Sequence, residues 1–233
     1  MSTQDDEAVG GGAVVGGARR YGGASADERR AQRRERLIDA GYAAFGRDGY
    51  LNTTMRLVCA QARLSERYFY ESFESVEALF RAVHQREATR LARLIATRLA
   101  TMPEADGVAM TRASLVLFFE WVKEDPRRAR ILLTDAVTTG ATNPQFLGTR
   151  AAHYADLVRD RLLHKYPEMR QTLNVDYIVA GFGGLIVQVG SMWVEAKFDT
   201  PIENLVDHII YAWRGLHVWL AEASATRRAS QAG

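Results

Sequence analysis

Apolar residues in this chain recur every three or four positions, and no segment alternates with period two over a convincing length. That spacing marks one face of an α-helix, so the fold class is all-α, with about nine helices, no sheet and no internal repeat. Asp27-Glu28 opens a helix with Leu37, Ile38, Gly41 and Phe45 on one side, and Gly49 ends it. Thr53-Thr54 offers an N-cap for a short helix reaching about Ala62, and Ser65 caps the next, with Glu66 in its favourable first turn. Ser75 caps a long amphipathic helix that turns Leu79, Val83, Leu91, Leu94 and Ile95 inward. Asp125-Pro126 and Asn143-Pro144 each set a cap residue before a proline at the first helical position. Thr200-Pro201-Ile202-Glu203 combines an N-cap, an N1 proline and a capping-box glutamate.

Two short helices joined by a tight turn at Arg63-Leu64, behind a longer one, form a helix-turn-helix pattern. Phe69 and Phe73 are four apart and share the inward face of the second short helix. Glu66, Arg67, Tyr70, Glu71 and Ser72 are left outward, with Tyr68 near the boundary. Arginine pairs with guanine, glutamate accepts from the cytosine amino group, and tyrosine meets phosphate or a thymine methyl. The same spacing also lets Arg67 and Glu71 simply pair on a solvated face, worth roughly 0.2–0.5 kcal/mol.

Charge sharpens this picture. Net charge is +2 for 233 residues, yet residues 19–73 carry 11 Arg against 7 Asp/Glu while the remainder is near balance. That asymmetry points to an anionic partner for the N-terminal part alone. Residues 1–24 read as a flexible Gly-rich arm, 25–74 as the helix-turn-helix domain, 75–224 as an effector-binding and dimerisation domain, and 225–233 as a flexible tail. Cys59 is the single cysteine, and Met1 to Gly17 lacks the basic and apolar segments of a secretion signal, so a cytoplasmic location is expected.

The run TTMRLVCAQARLSERYFYESFESVEALF, preceded by GRDGY, resembles the DNA-binding region of the TetR (tetracycline-repressor) family of transcriptional regulators. The paired threonines, the AxxA-turn-LS step and the Y-x-x-F ending carry the resemblance, which spans residues 33–83. It implies double-stranded DNA as partner, a palindromic operator and a homodimer. It places Thr54 at phosphate, Arg56 at a base or the backbone, and Glu66, Arg67 and Tyr68 in the base-reading turn that Ser65 opens. Tyr70 matches a phosphate-touching tyrosine, with Glu71 and Ser72 beside it. Two positions depart from the pattern: Arg63 stands where the turn usually has glycine, and Val76 where relatives carry a phosphate-binding lysine. Arg19, Arg20 or Arg30 would have to replace the latter contact.

The C-terminal half is less specific. Tyr177–Val194 is 18 residues long and nearly free of polar groups; with its four glycines it reads as a helix buried nearly all round rather than a membrane span. Ala180, Gly183, Gly184 and Gly190 would admit a neighbouring helix. Ile202, Val206, Ile209, Trp213, Leu216 and Leu220 then form a seam of the kind that meets a partner helix. In the TetR family two such helices build a four-helix dimer interface, so Ala180, Gly184 and the seam are the expected interface; an intrachain core has the same spacing. Phe118, Phe119, Trp121, Phe146, Tyr154, Phe182 and Met192, with His153 and Gln188, suit a pocket for a small apolar effector, and equally an ordinary core. No histidine pair has ligand spacing, and no nucleophile elbow or phosphate loop is present, so no metal, cofactor or enzyme activity is expected. The resemblance implies a repressor released when an effector biases the helix beginning at Ser75. The alternative is a ligand-independent DNA-binding or architectural protein whose C-terminal half only dimerises.

Overall fold

The computed structural model describes residues 25–102, 106–135, 159–160, 162–170 and 174–232, and every regular element among them is helical. Asn143-Pro144 and the arm 1–24 lie outside the described residues. The first helix, α1 (Ala26–Asp48), starts slightly before the expected Asp27, because Ser25 and Glu28 form a reciprocal capping box. Gly49 ends it at φ 82°, a conformation glycine adopts without Cβ strain. Then follow α2 (Met55–Ala62), α3 (Glu66–Tyr70) and α4 (Val76–Ala100). The N-terminal core gathers Leu37, Ile38 and Phe45 of α1, Val58 of α2, Phe69 of α3, Phe73, and Leu79, Phe80 and Val83 of α4. Phe45 and Phe80 meet edge to face at 5.0 Å, a favoured aromatic geometry.

The remaining elements are α5 (Gly107–Glu124), α6 (Pro126–Ala129) running into a π-turn (Arg130–Thr134), a 3-10 turn (Pro167–Met169), α7 (Val175–Glu195) and α8 (Ile202–Ala232). Asp125 caps α6 ahead of Pro126, as the dipeptide predicts. Its core joins Leu115, Phe119 and Val122 of α5, Leu133, Trp193 of α7, and Val206, Ile209 and Ile210 of α8. Two expectations change here. Helix α8 runs to Ala232, so the segment expected as a flexible tail from 225 is helical. Leu94, expected inside α4, is exposed: α4 outruns the core that covers its first half.

The boundary at 74 is not a clean seam. Ile131, from the π-turn, sits in the N-terminal core. Tyr42 of α1 donates its hydroxyl to Asp125 (2.7 Å), and Arg127 grips the same carboxylate through two nitrogens at 2.9 and 2.8 Å while lying over the Tyr42 ring. Asp135 accepts from the Tyr50 N–H, and Arg130 donates to the Arg47 carbonyl. Gly46 lets this pass so close that a Cβ there would lie 2.4 Å from Arg127 Cβ.

Burial and then the Asp125 carboxylate raise the Tyr42 hydroxyl to about 12. The unfolded tyrosine loses its proton from about pH 10. The Tyr42 contribution is therefore complete below that pH and is lost as pH rises towards 12. Denaturant unfolding across pH 9–12 should show this loss in the wild type and its absence in Tyr42→Phe. Gly46→Ala should lower stability by about 1–3 kcal/mol, the range for overpacking, in the same measurement.

Candidate nucleic-acid interface

The turn between α2 and α3 is built by Arg63, which adopts the left-handed conformation expected where glycine is usual (φ 52°, ψ 48°). That backbone costs roughly 1–2 kcal/mol for a residue with a Cβ. Its compensation is local: the Arg63 N–H reaches the Ala60 carbonyl, and the Leu64 N–H the Cys59 carbonyl at 3.0 Å. Arg36 of α1 donates to the Ala62 carbonyl at 2.6 Å and to that of Arg63 at 3.4 Å, so the last carbonyl of α2 does not go unpaired. Thr54 caps α2, its hydroxyl accepting from the Leu57 N–H at 3.3 Å; the adjacent Thr53 is buried and bonded to the Gly49 carbonyl. Ser65 occupies the N-cap position of α3, but its side chain makes no capping bond, contrary to expectation.

Phe69 and Phe73 point into the core, and their burial turns the rest of α3 outward. Glu66 and Arg67 are exposed, Tyr70 is 61% exposed, and Tyr68, expected at the boundary, is 36% exposed. Arg56 reaches across the turn to Glu66 (3.3 Å). Arg67 pairs with Glu71 at 3.1 Å, and Arg33 of α1 approaches the same carboxylate at 3.6 Å. Arg33 also stacks on the Tyr68 ring at 4.4 Å, while Arg30 donates to the Glu71 carbonyl at 2.9 Å. Glu71 is thus the anchor of an arginine cluster, and Ser72 lies half-buried beside it. Arg33 and Arg36 are absent from the sequence-based set. The available signal was the run RRAQRRER, which puts arginines on successive turns of α1 facing α2 and α3.

In the C-terminal half the structure redistributes the expectations. Phe119 is fully buried and packs edge-on against Trp193; Phe118 and Trp121 are buried with it, Arg128 lying over the Trp121 ring. Phe182 is half-buried against Trp213. Gln188 and Met192 are exposed on α7, so they do not line an interior space. Phe146, His153 and Tyr154 lie outside the described residues. The α8 seam is a correction: Val206, Ile209, Trp213 and Leu220 are buried within this chain, and Ile202 and Leu216 partly so. Heptad-like spacing reports that a face is covered, not whose helix covers it.

The helix expected to be buried all round buries only Val175, Gly190 and Trp193. Its outer face shows Tyr177, Ala180, Gly181, Gly184, Gln188 and Met192, and a Cβ added at Gly181 or Gly184 would meet nothing within 4 Å. Helix α8 adds Tyr211, Val218 and Trp219, each more than half exposed. Helix α7 is long and apolar enough to cross a membrane by length and composition alone, with a mean hydropathy of 1.6 over 18 residues. Among the described residues no group of His, Cys, Asp or Glu is arranged to hold a metal ion.

Residues 37–83 match the family of bacterial regulatory proteins described as tetR. No curated protein matches the chain. Among solved structures, the fatty acid degradation regulator FadR of Bacillus halodurans is similar in fold: TM-score 0.58, 16% identity, 77% of this chain and 93% of that one covered. FadR of Bacillus subtilis, solved with stearoyl-CoA, gives 0.58 and 14%, covering 76% and 95%. A TetR-family regulator from Bordetella parapertussis gives 0.51 and 21%, covering 76% and 91%.

Arg63→Gly should raise stability by about 1 kcal/mol, because glycine adopts the left-handed turn without the Cβ clash. Arg36→Ala should lower it by a similar amount by uncapping α2. Chemical denaturation of the two variants checks both.

Proposed function

We propose that the chain is a TetR-family transcriptional regulator, a cytoplasmic homodimeric repressor released from a palindromic operator by a small apolar effector. The observation that carries the reading is the outer face of α3, which offers Arg67, Tyr68 and Tyr70 to solvent while Phe69 and Phe73 hold the helix down. A helix presented in this way enters the major groove, where Arg67 pairs with guanine and Glu66 accepts from a cytosine amino group. Thr54, Arg56, Ser65, Tyr70 and Ser72 contact or flank the phosphates. Glu71 takes a different part: held by Arg33 and Arg67, it sets the direction of the Arg67 guanidinium rather than meeting the anionic backbone itself.

Two recognition helices must sit roughly 34–36 Å apart to read successive turns of one duplex face. We place the interface on the exposed faces of α7 and α8, centred on Ala180, Gly181 and Gly184. Small residues there allow close helix approach, and Tyr211, Val218 and Trp219 supply apolar area. A second copy, rather than lipid, fits a face that continues from α7 onto the largely polar α8.

The effector switch runs through two connections. Helix α4 passes from the N-terminal core at Leu79, Phe80 and Val83 to the C-terminal core at Ala88 and Leu91. The Tyr42–Asp125–Arg127 seam ties α1 to α6. An effector that favours a different placement of α5 to α8 shifts both, and with them the spacing of the two heads. The B. subtilis FadR complex makes long-chain acyl compounds the first effectors to test.

Selection of bound duplexes from a random pool should return a palindrome with half-sites one turn apart; bound DNA without two-fold symmetry would overturn the dimeric reading. On that operator, Arg67→Ala should relax preference at one base pair, by about 1–3 kcal/mol, and Tyr70→Phe should weaken all sequences evenly. Gly184→Arg should yield a folded monomer by analytical ultracentrifugation that no longer holds the full palindrome. Operator affinity unchanged by saturating effector would favour the ligand-independent alternative.

A further inference from the structure

Trp213 is 7% exposed, and its indole Nε1 is buried with no hydrogen-bond partner among the described residues. The side chain has one polar atom, so nothing else on it compensates, and buried N–H groups in folded proteins are almost always bonded. Phenylalanine would fill most of the same space without leaving a donor unmet. The surroundings show what the donor awaits. Phe182 meets the indole edge-on at 4.7 Å, and His217, one turn along α8, does so at 5.1 Å. The Tyr166 hydroxyl lies 3.1 Å from His217 Nδ1 and 3.3 Å from its carbonyl, so those two side chains satisfy each other and leave the indole out. Burial, then the charge of Lys165, lowers the His217 pKa, so the imidazole is neutral near pH 7. Leu162, Met169, Val175 and Leu220 complete an apolar wall, with Val108, Ile178 and Leu216 partly buried against it.

We propose that Trp213 Nε1 is the polar anchor of the effector site, donating to the carbonyl or carboxylate oxygen of an otherwise apolar ligand whose body packs on Phe182. This rests on the effector reading above and makes it specific. An acceptor is required because the free group is a donor. An apolar body is required because the walls are aromatic and aliphatic. The anchor lies on α8, directly behind the face assigned to dimerisation, so occupancy is felt where the two copies meet.

The test uses the full chain labelled with 15N, in which the four tryptophans each give one indole N–H resonance and Trp213→Phe identifies that of Trp213. The probes are decanoate, methyl decanoate and decyltrimethylammonium, the last having no acceptor. Decanoate and methyl decanoate should bind and move the Trp213 resonance downfield, as formation of a hydrogen bond does. Decyltrimethylammonium should leave it in place. Calorimetry should show about a tenfold loss of affinity for both acceptor probes in Trp213→Phe, equivalent to about 1.4 kcal/mol. Where that variant is poorly folded, phenylalanine variants of Trp121, Trp193 and Trp219 assign the Trp213 resonance by elimination, so the wild-type shift is still read. Binding of the acceptor probes without movement of the resonance would overturn the anchor and leave the effector reading intact. An equal shift with decyltrimethylammonium would do the same, marking repacking rather than a hydrogen bond. Failure of all three probes to bind the wild type would overturn the anchor together with an apolar effector.

Discussion

Helix α3 spans only Glu66–Tyr70, far fewer residues than an isolated helix needs to persist in water. It exists because Phe69 and Phe73 are buried against α1, α2 and α4, and that single constraint orients everything on its other side. A slip of one residue would put Tyr68 or Tyr70 into the core and Phe69 into solvent. The turn before it is equally determined. Arg63 is held in a conformation that disfavours it, and Arg36 supplies hydrogen bonds to the carbonyls that the turn leaves behind. The outward face of α3 is therefore the by-product of a small hydrophobic core, with charges added where the core does not reach.

Those charges are organised from outside α3. Arg30 and Arg33 of α1 meet Glu71, and Arg33 stacks on Tyr68. Exposed ion pairs of this kind add little stability, generally below 1 kcal/mol. Their consequence is geometric, since long side chains that would otherwise sample many rotamers are held against α3. The same economy joins the two halves of the chain. Ile131 enters the N-terminal core, while Tyr42, Asp125 and Arg127 form a hydrogen-bonded seam over Gly46, so α1 is tied to α6.

Much of this was legible in the residues themselves. The caps at Thr54, Ser75 and Asp125, the breaks at Gly49 and Arg63, and the inward pair Phe69 and Phe73 follow from local rules acting within one or two turns. The outward side chains of α3 follow from the same periodicity, because a helix that buries one stripe must expose the opposite one. Where the reading failed, the missing information was non-local. The seam on α8 from Ile202 to Leu220 has the spacing of a partner-facing stripe, yet its partners are α5, the Pro167–Met169 turn and α7 of the same chain. Gln188 and Met192 sit among pocket-like residues in sequence but on the open side of α7 in space.

By itself, then, the sequence determined helix positions, the turn and which α3 side chains face outward, because backbone capping and side-chain periodicity act over a few residues. Only the tertiary structure decided which apolar faces are already covered, that α1 supplies the arginines around Glu71, and that Trp213 keeps an unmet donor. Those facts depend on where helices distant in the chain come to lie, and spacing along one helix carries no record of what packs against it.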